Sequence, residues 1–297
     1  LVKTRFIFNP RSGHNVGKPS PLELTRAFMR EHAPQSELIF TERARHANEL
    51  ARQAVEDGCE RVVAIGGDGT LNEVAAALVD TGAVLGLVPC GSGNGLGRHL
   101  GIPRPDQSAF DTLLHGRVRA IDTGTANGIP FFNVMGLGFD AEISHRFNQL
   151  TRRGLSSYIK TTCGALLHYR TKTYHIRNET TSLITPAFII AVANSDQYGN
   201  NCIIAPGARL DDGLLDLTVI RRVSFLNALP LIGRLFAGRL GGGKNISRLQ
   251  GAHFTIGRAA PGLIHTDGEV HETGAIVEIA VRPQSLRVLV PAAAPSA

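Results

Sequence analysis

Apolar and polar positions follow two different rhythms along the chain. Up to about residue 118, short apolar runs alternate with stretches of helical spacing. Strands are predicted at Thr4–Asn9, Glu37–Phe40, Arg61–Ile65 and Val84–Pro89, and helices at Pro21–His32, Ala44–Asp57 and Leu71–Asp80. The second helix is the clearest, with Ala44, Ala47, Leu50, Ala51, Ala54 and Val55 on one face and Glu49, Arg52 and Glu56 on the other. Such alternation predicts a three-layer α/β domain over residues 1–118. After Arg119 the pattern turns to short runs rich in Val, Ile and Phe. Strands are predicted at Ile129–Val134, Thr173–Arg177, Ala187–Ala193, Leu214–Arg221, Ala275–Arg282 and Ser285–Val290, with helices near Asp140–Leu150 and Ser156–Tyr169. Residues 119–291 therefore read as an antiparallel, β-rich, sandwich-like domain, and the Ala/Pro-rich residues 292–297 as a tail.

The candidate chemistry sits where predicted strands end. Val62–Ile65 runs straight into Gly66-Gly67-Asp68-Gly69-Thr70, and a helical pattern follows at once from Leu71. A strand that passes through glycines into a helix start exposes backbone N–H groups to phosphate without side chains in the way. Asp68 would repel a bare phosphate, so its presence there suits a nucleotide that arrives with Mg²⁺. An ordinary glycine turn with a capping Asp is the alternative. Two more such turns, Asn9-Pro10-Arg11-Ser12-Gly13 and Gly91-Ser92-Gly93-Asn94-Gly95, and Thr41 after Glu37–Phe40, each follow a predicted strand. In an open parallel sheet those loops gather at one edge, where ligands bind. Neither the Walker pattern nor GxGxxG is present.

The motifs Asn9-Pro-x-Ser-Gly13, Gly66-Gly-Asp-Gly-Thr-x-Asn-Glu-Val74, Gly91-Ser-Gly-Asn94, Asp212-Gly-x-Leu-Asp216 and Asp267-Gly-Glu269 occur in this order. Together they resemble the soluble diacylglycerol kinase and sphingosine kinase superfamily, over about Arg5 to Pro291. The resemblance implies an ATP- and Mg²⁺-dependent lipid kinase, with the last strand, near residues 285–291, returning to the first domain. It implies that Asn9, Pro10, Arg11, Ser12, Gly13, Thr41, Gly66, Gly67, Asp68, Gly69, Thr70, Leu71, Asn72, Glu73, Gly91, Ser92, Gly93 and Asn94 line the ATP site. Glu73 could equally offset a helix dipole. It implies a general base in Asp267-Gly-Glu269, with Glu269 chosen as proton acceptor across an interdomain cleft; a plain β-turn is the alternative there. It also implies a structural Mg²⁺ on Asp212 with the carbonyls of Arg209 and Leu214, where a hairpin turn is the alternative. Gly95 stands where many bacterial diacylglycerol kinases carry Asp, so at this point the chain looks more like the sphingosine-kinase side. An NAD kinase, which shares GGDG, and a nucleotide- or lipid-binding protein without turnover are the competing readings.

Composition narrows the partners. The formal net charge of +6 suits anionic ligands, but dispersed Lys and Arg and an aromatic content of 6% do not suit nucleic acid. Cys59, Cys90, Cys163 and Cys202 stand singly, without CxxC spacing, and read as free thiols in a reducing compartment. No apolar run of about 18 residues and no signal-peptide pattern occurs, so no transmembrane segment is expected. The expectation is a cytoplasmic protein that meets its lipid substrate peripherally at a membrane surface, with room left for a homodimer. The apolar segment Phe225–Phe236, with Arg221, Arg222, Arg239 and Lys244 beside it, reads either as packing against a sheet or as an element that touches the membrane.

Overall fold

The computed structural model describes residues 2–12, 20–91, 93–102, 107–148, 169–199, 201–223 and 225–292. The chain forms two units, Leu1–Asp122 with Pro283–Ala297, and Thr123–Arg282.

In the first unit, β1 (Thr4–Phe8), α1 (Pro21–His32), β2 (Glu37–Phe40), α2 (His46–Glu56), β3 (Arg61–Gly66), α3 (Asp68–Leu78) and β4 (Val84–Pro89) alternate, followed by α4 (Gly95–His99) and α5 (Gln107–His115). The strands lie in the order β2-β1-β3-β4 and all run parallel. Helix α1 starts where it does because Ser20 and Glu23 form a reciprocal capping box and Pro21 opens the first turn. Its Phe28 packs with Phe6, Phe8, Val63 and Ile65 of the sheet and Phe110 and Leu113 of α5. A fully buried side chain of this size contributes about 1.5–3 kcal/mol. Helices α2 and α3 pack together and bury Ala47, Ala51, Ala54, Leu71, Val74 and Leu78.

Strand β5 (Arg117–Ala126) runs through the boundary into the second unit. There follow β6 (Ile129–Phe131), β7 (Val134–Gly138), α6 (Phe139–Asn148), β8 (Lys172–Arg177), β9 (Ser182–Ala187), β10 (Ile189–Ala193), β11 (Gln197–Gly199), β12 (Cys202–Ile203) and β13 (Leu215–Ile220). Then come α7 (Phe225–Phe236), β14 (Ile246–Gly251), β15 (His253–Arg258), β16 (Gly262–Thr266), β17 (Glu269–Thr273) and β18 (Ile276–Val290). One antiparallel sheet has the order β14-β13-β10-β7-β16-β17. A second layer of β15, β8, β9 and residues 276–280 of β18 is also antiparallel. Between the layers Leu137, Ile190, Val192 and Leu217 meet Ile176, Phe254, Ile256 and Ile279 in a shared core. The fold is thus an α/β domain with a parallel sheet and an antiparallel β-sandwich domain.

Several elements differ from their sequence-based outlines. Helix α3 begins at Asp68, not Leu71, because Gly67 in extended conformation serves as its N-cap and an acidic residue is favoured in the first helical turn. Ala187–Ala193 is split between β9 and β10 at Phe188. The strands predicted at Ala275–Arg282 and Ser285–Val290 are one, β18, despite Pro283. Gln284 adopts a positive φ there and its N–H is taken by Asp122 Oδ1 at 2.8 Å, so the chain bulges past the proline without leaving the strand. Arg287 and Val288 of β18 pair in parallel with Val84 and Leu85 of the first unit. The helix expected at Ser156–Tyr169 lies outside the described residues except for Tyr169.

Candidate functional site

In the first unit, the loops after β1, β3 and β4 are tied to one another by hydrogen bonds. Asn9 Nδ2 donates to Thr70 Oγ1 at 2.8 Å, while Asn9 Oδ1 accepts from Arg11 N at 2.9 Å and shapes its own turn. Ser12 Oγ accepts from Gly67 N at 3.1 Å. Asp68 takes the third loop: its two oxygens accept from Asn94 N and Gly95 N, each at 2.8 Å. Arg98 Nε holds the same loop through Gly93 O at 2.7 Å.

Glycine is required where these loops touch. A Cβ on Gly91 would stand 2.9 Å from Gly67 Cα, and one on Gly93 would stand 2.7 Å from Asp68 Oδ2. Asn94, in a left-handed conformation, caps α4, and its buried Oδ1 has no partner among the described residues. No side chain caps α3, so its first-turn N–H groups and the positive end of its dipole face the loops. The half-buried Asn72 amide also forms no hydrogen bond among the described residues.

An uncapped helix N-terminus and glycines at the closest approaches fit phosphate groups. For Mg²⁺ this loop cluster offers Asp68, each of whose oxygens retains lone-pair capacity beyond the single N–H it accepts. One carboxylate suits an ion that keeps phosphates and waters as its other ligands. Gly13 and Ser92 lie outside the described residues.

Leu71 and Glu73, expected at this site, do other work. Leu71 is buried in the core, and its backbone N–H is used by Gly67 O at 3.1 Å. Glu73 neither reaches toward the loops nor serves its own helix: Oε1 and Oε2 accept from Arg45 N at 3.0 Å and Ala47 N at 3.1 Å, capping α2. Arg45, with positive φ, has no cap to offer from its own side chain, which is why α2 borrows one. Thr41 is buried at the end of β2, its N–H on Phe8 O at 2.9 Å.

In the second unit, Asp267-Gly268 is the two-residue turn of the β16–β17 hairpin, with φ of +50° and +87°. Both signs are positive, as a type I′ turn demands. The two acids of this motif part company. Asp267 turns back on the chain: Oδ2 accepts from Phe132 N at 2.7 Å, and Oδ1 from Asn133 N and Val134 N, both at 2.9 Å. Burial pushes its carboxyl above the ordinary value, against the pull of those three donors and of His265. Through these three bonds Asp267 holds the backbone of Phe132, Asn133 and Val134 beside its own turn. Glu269, the first residue of β17, is exposed.

Behind the turn lies a buried chain that the sequence did not disclose. His265 Nε2 meets Asp140 Oδ2 at 2.7 Å, Tyr198 Oη donates to the same oxygen at 2.6 Å, and Gly268 N lies 3.3 Å from His265 Nδ1. Burial works to lower the His265 pKa, but the Asp140 carboxylate outweighs it and the net shift is upward. For Asp140, burial pulls upward and His265 with Tyr198 hold it below the usual range. Gly136 makes room for the pair, since a Cβ there would overlap both Asp140 and His265. The positions are scattered over β7, α6, β11 and β16, with no common spacing to find them by.

The Asp212 loop is a turn with Gly213 at φ +70°, in which Asp212 Oδ1 accepts from Leu214 N at 3.1 Å. The neighbouring Arg209 guanidinium sits on Asp211 at 3.2 Å. Among the described residues no group of three or more His, Cys, Asp or Glu side chains is arranged to hold a metal ion.

A parallel α/β unit with interlocked glycine loops, joined to an antiparallel β-sandwich, defines a nucleotide-site class of two-domain protein. Residues 3–126 match the diacylglycerol kinase catalytic domain, and residues 133–290 match the YegS C-terminal NAD kinase beta sandwich-like domain. A diacylglycerol kinase from Mycobacterium tuberculosis is 28% identical over 98% of this chain and 96% of its own. One from Bacillus subtilis is 30% identical, covering 75% of each chain. A crystal structure of a diacylglycerol kinase from Bacillus anthracis superposes with a TM-score of 0.76 at 18% identity, over 98% of this chain and 97% of that one. The chain belongs to the diacylglycerol kinase catalytic-domain family, in its YegS-type two-domain form, and is a lipid kinase.

Proposed function

We propose that the protein transfers the terminal phosphoryl group of ATP, in a Mg²⁺-dependent reaction, to a hydroxyl of a membrane-derived lipid of diacylglycerol or sphingoid type. The observation that carries this is the tie between Asp68 and the Asn94–Gly95 backbone, which joins the β3 and β4 loops into one anion-facing surface. The first-turn N–H groups of α3, the Asn9–Ser12 turn and Asn72 would hold the nucleotide phosphates. Asp68 would hold Mg²⁺, which when bound neutralises charge on the phosphates. Asn9 fixes the Thr70 hydroxyl, and Ser12 fixes the loop at Gly67, so these donors are set before the nucleotide arrives.

Glu269 is the group that accepts the proton of the lipid hydroxyl. It is the exposed carboxylate of its turn, whereas Asp267 is committed to Phe132, Asn133 and Val134. A cation on Asp212 with the carbonyls of Arg209 and Leu214 would be structural and takes no part in the transfer. A cytoplasmic enzyme of this kind would reach its lipid by peripheral contact with the bilayer.

The test is transfer of labelled phosphate from ATP, with and without Mg²⁺, to a panel of diacylglycerols, sphingoid bases and NAD. Labelled lipid that requires Mg²⁺ is expected. Labelled NAD with no labelled lipid would overturn the reading.

A further inference from the structure

Helix α7 is apolar on two faces. Leu231 and Leu235 pack against the second unit's core beside Val134, Ala191, Ile204 and Leu240. Leu229, Ile232 and Phe236, spaced i, i+3 and i+7 and so aligned on another face, are 76%, 44% and 50% exposed. An exposed helix face normally carries charge, and here Arg234 is the only charged residue of the helix.

The sequence on either side of the helix is charged in one sense. Between Asp216 and Asp267 the chain contains no acidic residue, while it carries Arg221, Arg222, Arg234, Arg239, Lys244, Arg248 and Arg258. Arg248 pairs with Asp216, and Arg258 is spent on carbonyls of the β15–β17 region. Among the described residues the other five form no ion pair. Beside the helix lies a pocket of about 120 Å³ lined by Ile220, Arg222, Leu231, Arg234 and Asn245, which mixes apolar and cationic side chains.

We propose that α7 is the element by which this kinase docks on an anionic lipid bilayer, the apolar stripe entering the acyl boundary and Arg222, Arg234, Arg239 and Lys244 lying on the headgroups. This rests on reading the substrate as a membrane-resident lipid. At twelve residues α7 is too short to span a bilayer, which leaves it in the interface plane. A second copy of the chain is the poorer occupant, because it would bring the same unpaired cations against their equals. An anionic surface supplies both the apolar depth and the opposite charge.

The test is flotation of the whole protein with vesicles of phosphatidylcholine alone or with phosphatidylglycerol added, in low and high salt. Wild type should bind the anionic vesicles and be released by salt. Phe236→Asp should weaken binding by between about tenfold and a hundredfold, and Arg222→Ala or Lys244→Ala by about fivefold each. These are surface positions, so thermal unfolding and turnover on a water-soluble short-chain lipid should stay at wild-type level. Equal binding to both vesicle types, or undiminished binding of Phe236→Asp, would overturn the proposal. So would a wild-type dimer that Phe236→Asp dissociates, since the second copy would then be what covers the helix. Failure of wild type to use any lipid, with vesicle binding intact, would count against the substrate reading and not against the docking surface.

Discussion

Replacing Asp68 by Asn tests whether one carboxylate both braces the loops and serves the nucleotide. The amide keeps the size of the side chain but can accept only through one oxygen, so its NH₂ must confront either Asn94 N or Gly95 N, both now held at 2.8 Å. One charge-assisted hydrogen bond, worth about 1.5–3 kcal/mol, is lost, and the survivor falls to the neutral value of about 1 kcal/mol. Asp68 is only half-buried, so water recovers part of this and about 2–3 kcal/mol remains. At about 2–4 °C per kcal/mol for a domain of this size class, the first unit should melt about 4–12 °C earlier. Calorimetry reads that shift, and turnover measured against Mg²⁺ and ATP concentration reads the chemistry, which should fall far more than the stability does. A wild-type melting temperature with wild-type turnover would refute the whole account of Asp68. A lowered melting temperature with unchanged kcat and unchanged Mg²⁺ dependence would leave it a brace only.

The other expectations separate building groups from reacting groups. Glu269→Gln should lower kcat by about 10²–10⁴-fold with KM for ATP unchanged, and steady-state kinetics showing equal loss in both would make it a ligand and not a base. Glu73→Ala removes the borrowed cap of α2 and should cost about 1–2 kcal/mol in urea unfolding, with a smaller effect on turnover than Asp68→Asn. His265 has a raised pKa, so its contribution to stability is full below its ordinary value of 6.5 and is lost as pH rises through the folded value. Asp140, with a lowered pKa, contributes above its ordinary 3.8 and loses that as pH falls through the folded value. The second unit should therefore be most stable to heat between those limits, and its melting temperature should decline toward alkaline pH. Asp140→Asn should flatten that decline, and parallel pH profiles for the two proteins would rule the pair out as its source.

What the sequence disclosed depended on range. Helix α1, β2 and β4 were legible to the residue because local signals set them: the Ser20–Glu23 box and Pro21 start α1, and turn residues bracket the strands. Strands β14 and β15 were missed because Ser247, Arg248, Gln250 and His253 dilute the apolar alternation, and those strands are held by partners distant in sequence. In the site, the motif residues Asn9, Ser12, Asp68 and Asn94 do come together. The partners of their side chains were not legible, since Asp68 and Asn94 meet across twenty-six positions and Asp267 and Phe132 across 135. Glu73 shows the limit most plainly: its place in a familiar motif suggested a ligand, and a gap at the start of α2 claimed it instead.

The two Asp-Gly motifs look alike in sequence, and their aspartates turn out to share a physical task. Asp68 gathers the N–H groups of Asn94 and Gly95, and Asp267 gathers those of Phe132, Asn133 and Val134. Each uses a carboxylate to hold a loop that has no sheet partner for its donors, which is the strongest acceptor a short side chain can offer. The difference lies in how many donors each holds. Asp68 accepts one hydrogen bond on each oxygen, whereas Asp267 accepts two on Oδ1 and one on Oδ2, and both residues are half-buried. The same residue type therefore pre-organises a loop at both sites. On the function proposed above, the exposed Glu269, two residues beyond Asp267, is the proton acceptor, with Asp267 and His265 bracing the turn from which it extends.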